Sequence, residues 1–293
     1  MSEREAFQAP INPQDHKLTA VLANYSFTQK APCGLSTCRT AHHYGFLVRT
    51  ASGLETNIGN VCGRLYFGDD FVTAESLHRN QVARRDALRT LADLRQHQAT
   101  IEARISSLIS GPFGIKWVRR LTKFLQVRLG ADGLRLMARR VRSQDYKVQD
   151  VSELTETEIQ AAMARTGRKR DDVRYKTEAV GTLIPMPWHT YDFKAILIDG
   201  LQTNLLIACN VEEATTETRL LKKLLKPLAG WEKTLEETQE VLKYAPGTLE
   251  PANLLLLLKA ITPAAPGKKP PELSGWERTR EYKHLLTGDP MPL

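Results

Sequence analysis

From Ala74 to Ser110 the chain carries neither glycine nor proline, and its apolar residues recur at steps of three and four. Leu88, Leu91, Leu94, Ile101, Ile105 and Leu108 lie on one side of an ideal helix, so this stretch predicts one long amphipathic helix. The apolar seam is narrow, which suits a partner helix, either within the chain or in a homodimeric coiled coil. Gly111 to Gly114 (GPFG) ends the pattern. Trp117, Val118, Leu121, Phe124, Leu125 and Leu129 then restore helical spacing. Residues 155–164 (TETEIQAAMA) predict a capped helix with acidic residues at its positive end. Residues 173–184 predict one or two strands. Beyond the break at Pro185-Met-Pro, leucine-rich faces over 188–209, 212–225, 231–244 and 249–261 predict a helical bundle. Residues 262–272 (TPAAPGKKPPE) predict a proline-rich linker. Trp276, Tyr282, Leu285 and Leu286 mark a small docking helix in the tail 273–293.

Nearer the N-terminus the period shortens to two. Residues 44–50 and 54–58 predict the strands of a β-hairpin, turned at Ala51-Ser52-Gly53. Gly59-Asn60 breaks the second strand, and Cys62 to Phe67 predicts a short helix. Residues 1–30 are polar and mixed in sign and are expected to form an arm. The expected fold is mainly α. Its parts are the arm, a small α+β module at 31–73, the long helix at 74–110, and a basic helical region with a short β-segment at 111–187. The bundle at 188–261, the linker and the tail helix follow.

The chain has 293 residues, a formal net charge of +8 and four cysteines. This length can bury a core. The positive balance favours an anionic partner, with nucleic acid the commonest and a membrane surface or an acidic protein as competitors. No apolar run approaches a membrane span: Leu254 to Leu258 is followed by Lys259. The polar start MSEREAFQAP lacks the apolar centre of a secretory signal, so a cytoplasmic location is expected. In that reducing compartment clustered thiols more often bind metal than form disulfides.

Three of the cysteines fall in one block. Cys33 and Cys38 enclose a four-residue spacer, the two histidines His42 and His43 follow, and Cys62 lies at the expected helix start. Soft thiolates and a neutral imidazole suit tetrahedral zinc. The expected ligands are Cys33, Cys38, Cys62 and His43, with His42 and His78 as alternatives for the fourth. Alternation along a strand turns His42 and His43 to opposite faces, so only one can point inward. Four protein ligands would close the shell and make the zinc structural. The competing reading is that the cysteines are small buried hydrophobes. Cys209 ends an apolar helix and is expected in the core.

The knuckle, the hairpin and the step Ile58-Gly59-Asn60-Val61-Cys62 into a helix resemble treble-clef-like or zinc-ribbon-like modules, over residues 30–72. The resemblance implies a structural Cys3His zinc site. It departs at the helix start, where such modules often supply two ligands and this chain supplies only Cys62. The remainder resembles, in outline, accessory proteins of bacteria or phage.

Ten lysines and arginines lie between Ile115 and Lys147 against Asp132 and Asp145. They fall opposite the apolar face and could neutralise phosphates without regard to base sequence. Arg119, Arg120, Arg139 and Arg140, with Arg168, Lys169 and Arg170 from the loop after the acidic helix, are the phosphate-contact candidates. The sequence contains no HExxH pair, deaminase signature, P-loop or dinucleotide fingerprint. The expected function is therefore non-enzymatic: a zinc-stabilised protein that binds DNA or RNA or a nucleic-acid-associated protein. The alternative is an adaptor or inhibitor that grips a protein through its helices, with 74–110 as the interface. A metal-dependent hydrolase or nuclease is a third class.

Overall fold

A computed structural model describes residues 3–261 and 273–288 of the chain. The linker expected at 262–272 and the end of the tail at 289–293 lie outside the described residues. The strands are β1 (Leu18–Pro32), β2 (Ala41–Thr50), β3 (Glu55–Ile58), β4 (Lys147–Glu153) and β5 (Tyr175–Thr182). The helices are α1 (Asn60–Ser110), α2 (Ile115–Ser143), α3 (Glu156–Thr166), α4 (Arg170–Val173), α5 (Thr203–Cys209), α6 (Thr218–Leu225) and α7 (Trp231–Lys243), then α8 (Pro251–Ile261), α9 (Ser274–Glu277) and α10 (Arg280–Thr287). The protein is mainly α with a small antiparallel sheet near the N-terminus. No helix among the described residues is long and apolar enough to cross a membrane.

The chain divides into two compact units, Met1–Arg95 with Asn210–Leu225, and Gln96–Cys209 with Lys226–Leu293. In the first, β1, β2 and β3 form an antiparallel sheet in sequence order. The expected hairpin is β2–β3, with Val48 opposite Thr56 and Phe46 opposite Ile58. Strand β1 replaces much of the expected arm. Its register against β2 shifts between Leu18 and Ala20, Val21 and Ala23, and Ser26 and Ala31. Each shift resets the inside–outside alternation, which hides the strand from a period-two reading.

Strand β3 is buried along its whole length although three of its four residues are polar. Each polar group has a partner. Glu55 accepts from Arg4 at 2.5 Å and Arg49 at 2.8 Å, Thr56 Oγ1 donates to the Gly34 carbonyl at 3.3 Å, and Asn57 Nδ2 donates to the Pro32 carbonyl at 2.8 Å. The apolar core beside it comprises Ile11, Leu18, Leu35, Val48, Ile58 and Phe71, with Cys33 and Cys62 among them.

Helix α1 starts at Asn60, well before the expected Ala74, and absorbs the short helix at Cys62. Gly68, at φ 50° and ψ −125°, interrupts its helical geometry. Asp69 and Asp70 follow directly after this interruption, at the start of the second segment of the helix. The expected seam residues Leu91, Leu94, Ile101 and Ile105 are all buried within the single chain. Leu88 and Leu108 of the same seam are half-buried. Residues 210–225, expected in the C-terminal bundle, belong instead to the first unit. Arg84 there donates to the carbonyls of Glu213 and Thr216, and Arg95 donates to the Val211 carbonyl and pairs with Glu213.

The second unit has an apolar core built on α2. Trp117, Leu121, Phe124 and Leu125 pack with Leu183, Met186, Trp188, Leu254 and Leu257. Trp276, Tyr282 and Leu285 of the tail belong to the same core, whereas Leu286 is exposed. The polar ends of these aromatics find backbone or hydroxyl partners, as burial requires. Trp117 Nε1 donates to the Leu285 carbonyl at 2.9 Å, Trp188 Nε1 to Thr248 Oγ1 at 3.2 Å, and Tyr282 Oη to the Leu249 carbonyl at 2.9 Å.

Helix α3 carries a full capping box between Thr155 and Glu158. Its flanking strands β4 and β5 pair antiparallel; only β5 has a sequence signal. The helix expected over 188–209 is a 3₁₀ turn at Pro187–His189, followed by a π-helical stretch at Lys194–Gln202 that continues into α5.

Candidate metal centre

The loop between β1 and β2 is folded by its own backbone. Cys33 N–H donates to the Thr40 carbonyl at 3.0 Å, while Cys38 N–H and Arg39 N–H both reach the Leu35 carbonyl at 3.2 Å. The loop is also sewn to its surroundings. Gly34 N–H donates to the Asn57 carbonyl at 2.7 Å, and Gly34 accepts from Ile11 N–H at 2.8 Å. A Cβ at Gly34 would lie 2.2 Å from Thr56 Oγ1, so only glycine permits this approach of the knuckle to β3.

The same docking brings distant sulfurs together. The Sγ atoms of Cys33, Cys38 and Cys62 all lie within 4.8 Å of one another. Cys38 and Cys62 lie 3.1 Å apart. A tetrahedral zinc with bonds of about 2.3 Å holds its sulfurs about 3.8 Å apart, so small shifts would seat an ion. Cys33 and Cys62 are buried and Cys38 is half-buried, and all three thiols are free.

The pair of near sulfurs titrates unequally. A hydrogen bond to the Thr40 hydroxyl, with a further one to the Cys62 thiol, lowers Cys38 to about 7. Burial, reinforced by the bond to Cys38, pushes Cys62 up to about 12. A cation among the three sulfurs would favour the charged form of each.

Strand alternation separates the two histidines as their spacing requires. His43, the expected fourth ligand, stands outside the three-sulfur group, and its Nδ1 lies 3.0 Å from the Phe27 carbonyl. His42 turns the other way. Its ring packs so closely on Gly59 that a Cβ there would lie 2.6 Å from His42 Cδ2. Tyr25 Oη holds His42 Nδ1 at 3.3 Å, and Asn57 Nδ2 donates to the same Tyr25 oxygen at 3.2 Å. His42 Nε2 is buried with no hydrogen-bond partner. It too lies outside the group of mutually close donors. His78 Nε2 lies 2.9 Å from Asn24 Oδ1 at the surface. The chain Asn57–Tyr25–His42 has no sequence signal, since its members come from three strands.

The basic residues are dispersed more than a single helix face suggests. Gly130, at φ 69° and ψ 179°, breaks α2 into two segments. Lys116, Arg119, Arg120 and Lys123 keep i, i+3, i+4, i+7 spacing in the first segment, opposite its buried face. Arg119 and Lys123 are exposed, and Arg120 is half-buried. In the second segment Arg139 is exposed. Arg140 is not a free surface cation: its Nη1 donates to the carbonyls of Asp145 at 3.1 Å and Lys147 at 2.9 Å, closing the C-terminal end of α2. Arg168 and Lys169 are exposed, whereas Arg170 forms a two-point ion pair with Glu156 at 2.5 and 3.0 Å.

No protein-family model matches the chain, no curated protein is significantly similar to it, and no solved structure matches its fold.

Proposed function

We propose that the protein is a non-enzymatic, zinc-stabilised nucleic-acid-binding protein. The observation that carries the zinc reading is the convergence of Cys33, Cys38 and Cys62 from a loop and a helix start onto one point. Soft sulfur donors in this number favour zinc over hard cations. His42 is the fourth ligand in this reading, in place of His43. A buried ring nitrogen without a partner, with the opposite nitrogen held by a hydroxyl, is the usual state of a histidine prepared to coordinate. Closing the shell requires the ring to approach the sulfurs. With four protein ligands the ion holds the module together and leaves no position for an activated water.

The second half of the reading is supported by the net charge of +8 and by the exposed cations of α2 and of the loop before α4. Arg119, Arg139, Arg168 and Lys169 are the assigned phosphate contacts. Arg140 and Arg170 are left out because each already serves the fold.

Elemental analysis of the full chain should find about one zinc per molecule, retained in His43→Ala and weakened in His42→Ala. A metal-free protein that takes up no added zinc would end this reading. Mobility shifts over a salt series should then show retention falling steeply with ionic strength, and the double change of Arg119 and Arg139 to Glu should abolish it. Retention that ignores salt would point instead to an apolar protein interface.

A further inference from the structure

The three thiols that meet between the knuckle and α1 are not equally placed. Cys33 and Cys62 are 2% and 8% exposed, whereas Cys38 is half-buried. Its neighbours Ser36, Thr37, Arg39 and Thr40 are all exposed, so Cys38 is the member of the group that solvent reaches. The Cys62 thiol donates a hydrogen bond to the Cys38 sulfur at 3.1 Å. A disulfide needs about 2.05 Å between its sulfurs, so an approach of about 1 Å would join this pair. The two residues belong to separate segments, the loop after β1 and the first turn of α1. Cys33, by contrast, lies in the same loop as Cys38.

We propose that Cys38 and Cys62 form a thiol–disulfide switch that responds to hydrogen peroxide and releases the ion of the metal centre. The release step rests on the zinc reading above; the thiol chemistry does not. Oxidation begins at the accessible sulfur. The Cys38 sulfur attacks one peroxide oxygen, the O–O bond breaks, and the other oxygen leaves as water. The Cys62 sulfur then attacks the Cys38 sulfenic acid: the S–S bond forms as the S–O bond breaks, and a second water leaves. In sum, two thiols and one peroxide give one disulfide and two waters, with two electrons passing from the sulfurs to peroxide. Where both sulfurs start as zinc-bound thiolates, the two protons come from solvent. Zn²⁺ then leaves, because Cys33 and His42 are too few ligands to hold it. The new bond ties the same two segments that the ion ties, so the first unit keeps its fold as the metal departs.

The test treats the full chain, zinc-loaded and metal-free, with a slight molar excess of hydrogen peroxide. Peptide mapping without reductant, after alkylation of the remaining thiols, should find Cys38 joined to Cys62 in both samples, with Cys33 and Cys209 alkylated. In the loaded sample a chromogenic chelator should detect about one zinc released per disulfide, and a thiol reductant should restore zinc binding. Circular dichroism should stay unchanged, which separates release from unfolding. Cys33→Ser should still form the bond, whereas Cys62→Ser should leave a Cys38 sulfenic acid that dimedone traps. A bond between Cys33 and Cys38, over-oxidation without any disulfide, or a disulfide that leaves zinc in place overturns the switch. A chain that holds zinc but never forms the bond refutes the switch and leaves the zinc reading standing. A chain that takes up no zinc yet forms the Cys38–Cys62 bond refutes the zinc reading with its release step and upholds the thiol pair.

Discussion

The two units of this protein solve the problem of an interior in different ways. The second is filled with aliphatic and aromatic side chains whose few polar atoms cap one another, as Asn253 does by accepting from Ile184 N–H and donating to the Thr248 carbonyl. The first buries two carboxylates, two hydroxyls, an amide and two thiols next to a short apolar core. Apolar burial stabilises the second unit in proportion to area, whatever the solution contains. In the proposed reading the interior of the first unit is conditional, because an ion would tie its thiols, and its carboxylates Glu55 and Glu75 each pair with two guanidiniums. Conditional interiors respond to metal and pH, and that is where the two units should part.

The largest separation should come from the metal. Chelation of zinc, or Cys33→Ser, should remove metal-linked stability on the order of 10 kcal/mol from the first unit and open β2 and β3 to hydrogen exchange. Exchange in α7 and α8 should stay slow. Equal loss in both units would mean that they share one cooperative core. Next in size is the reverse experiment. Leu125→Ala, in the apolar core, should cost about 2–5 kcal/mol in the second unit while leaving zinc content at one per chain.

Glu55 gives a smaller and pH-dependent effect. Hydrogen bonds from Arg4 and Arg49 hold its carboxyl at about 2, below the ordinary 4.5. The folded state therefore binds the proton less well than the unfolded chain. The stabilisation is complete above about pH 4.5 and disappears as pH falls toward 2. Glu55→Gln should cost about 1–3 kcal/mol at pH 7, measured by urea unfolding, and the gap between variant and parent should close through that window. A gap that persists at pH 2 would show that the loss is steric. The smallest effect is a gain. Arg39, directly after Cys38, sits at φ 52°, where a side chain is strained. Arg39→Gly should raise the melting stability of the first unit by up to about 1 kcal/mol without changing zinc affinity.

The sequence alone carried the helical class, the β2–β3 hairpin, the capped helix α3 and the three cysteines, because each rests on local periodicity or on residue type at short spacing. The break at Gly130, the ion pair of Arg170 and the use of Arg140 to close α2 are equally local in the chain, yet they depend on which donors happen to be left over once the backbone is folded. Strand β1 was masked by its own register shifts.

Tertiary structure alone decided which groups meet. No spacing rule links Tyr25, His42 and Asn57. Such pairings join segments far apart in sequence, and they are fixed by how whole elements pack. Local pattern determines what each element is; the burial of its faces determines what it touches, and in this protein the chemistry lies in the touching.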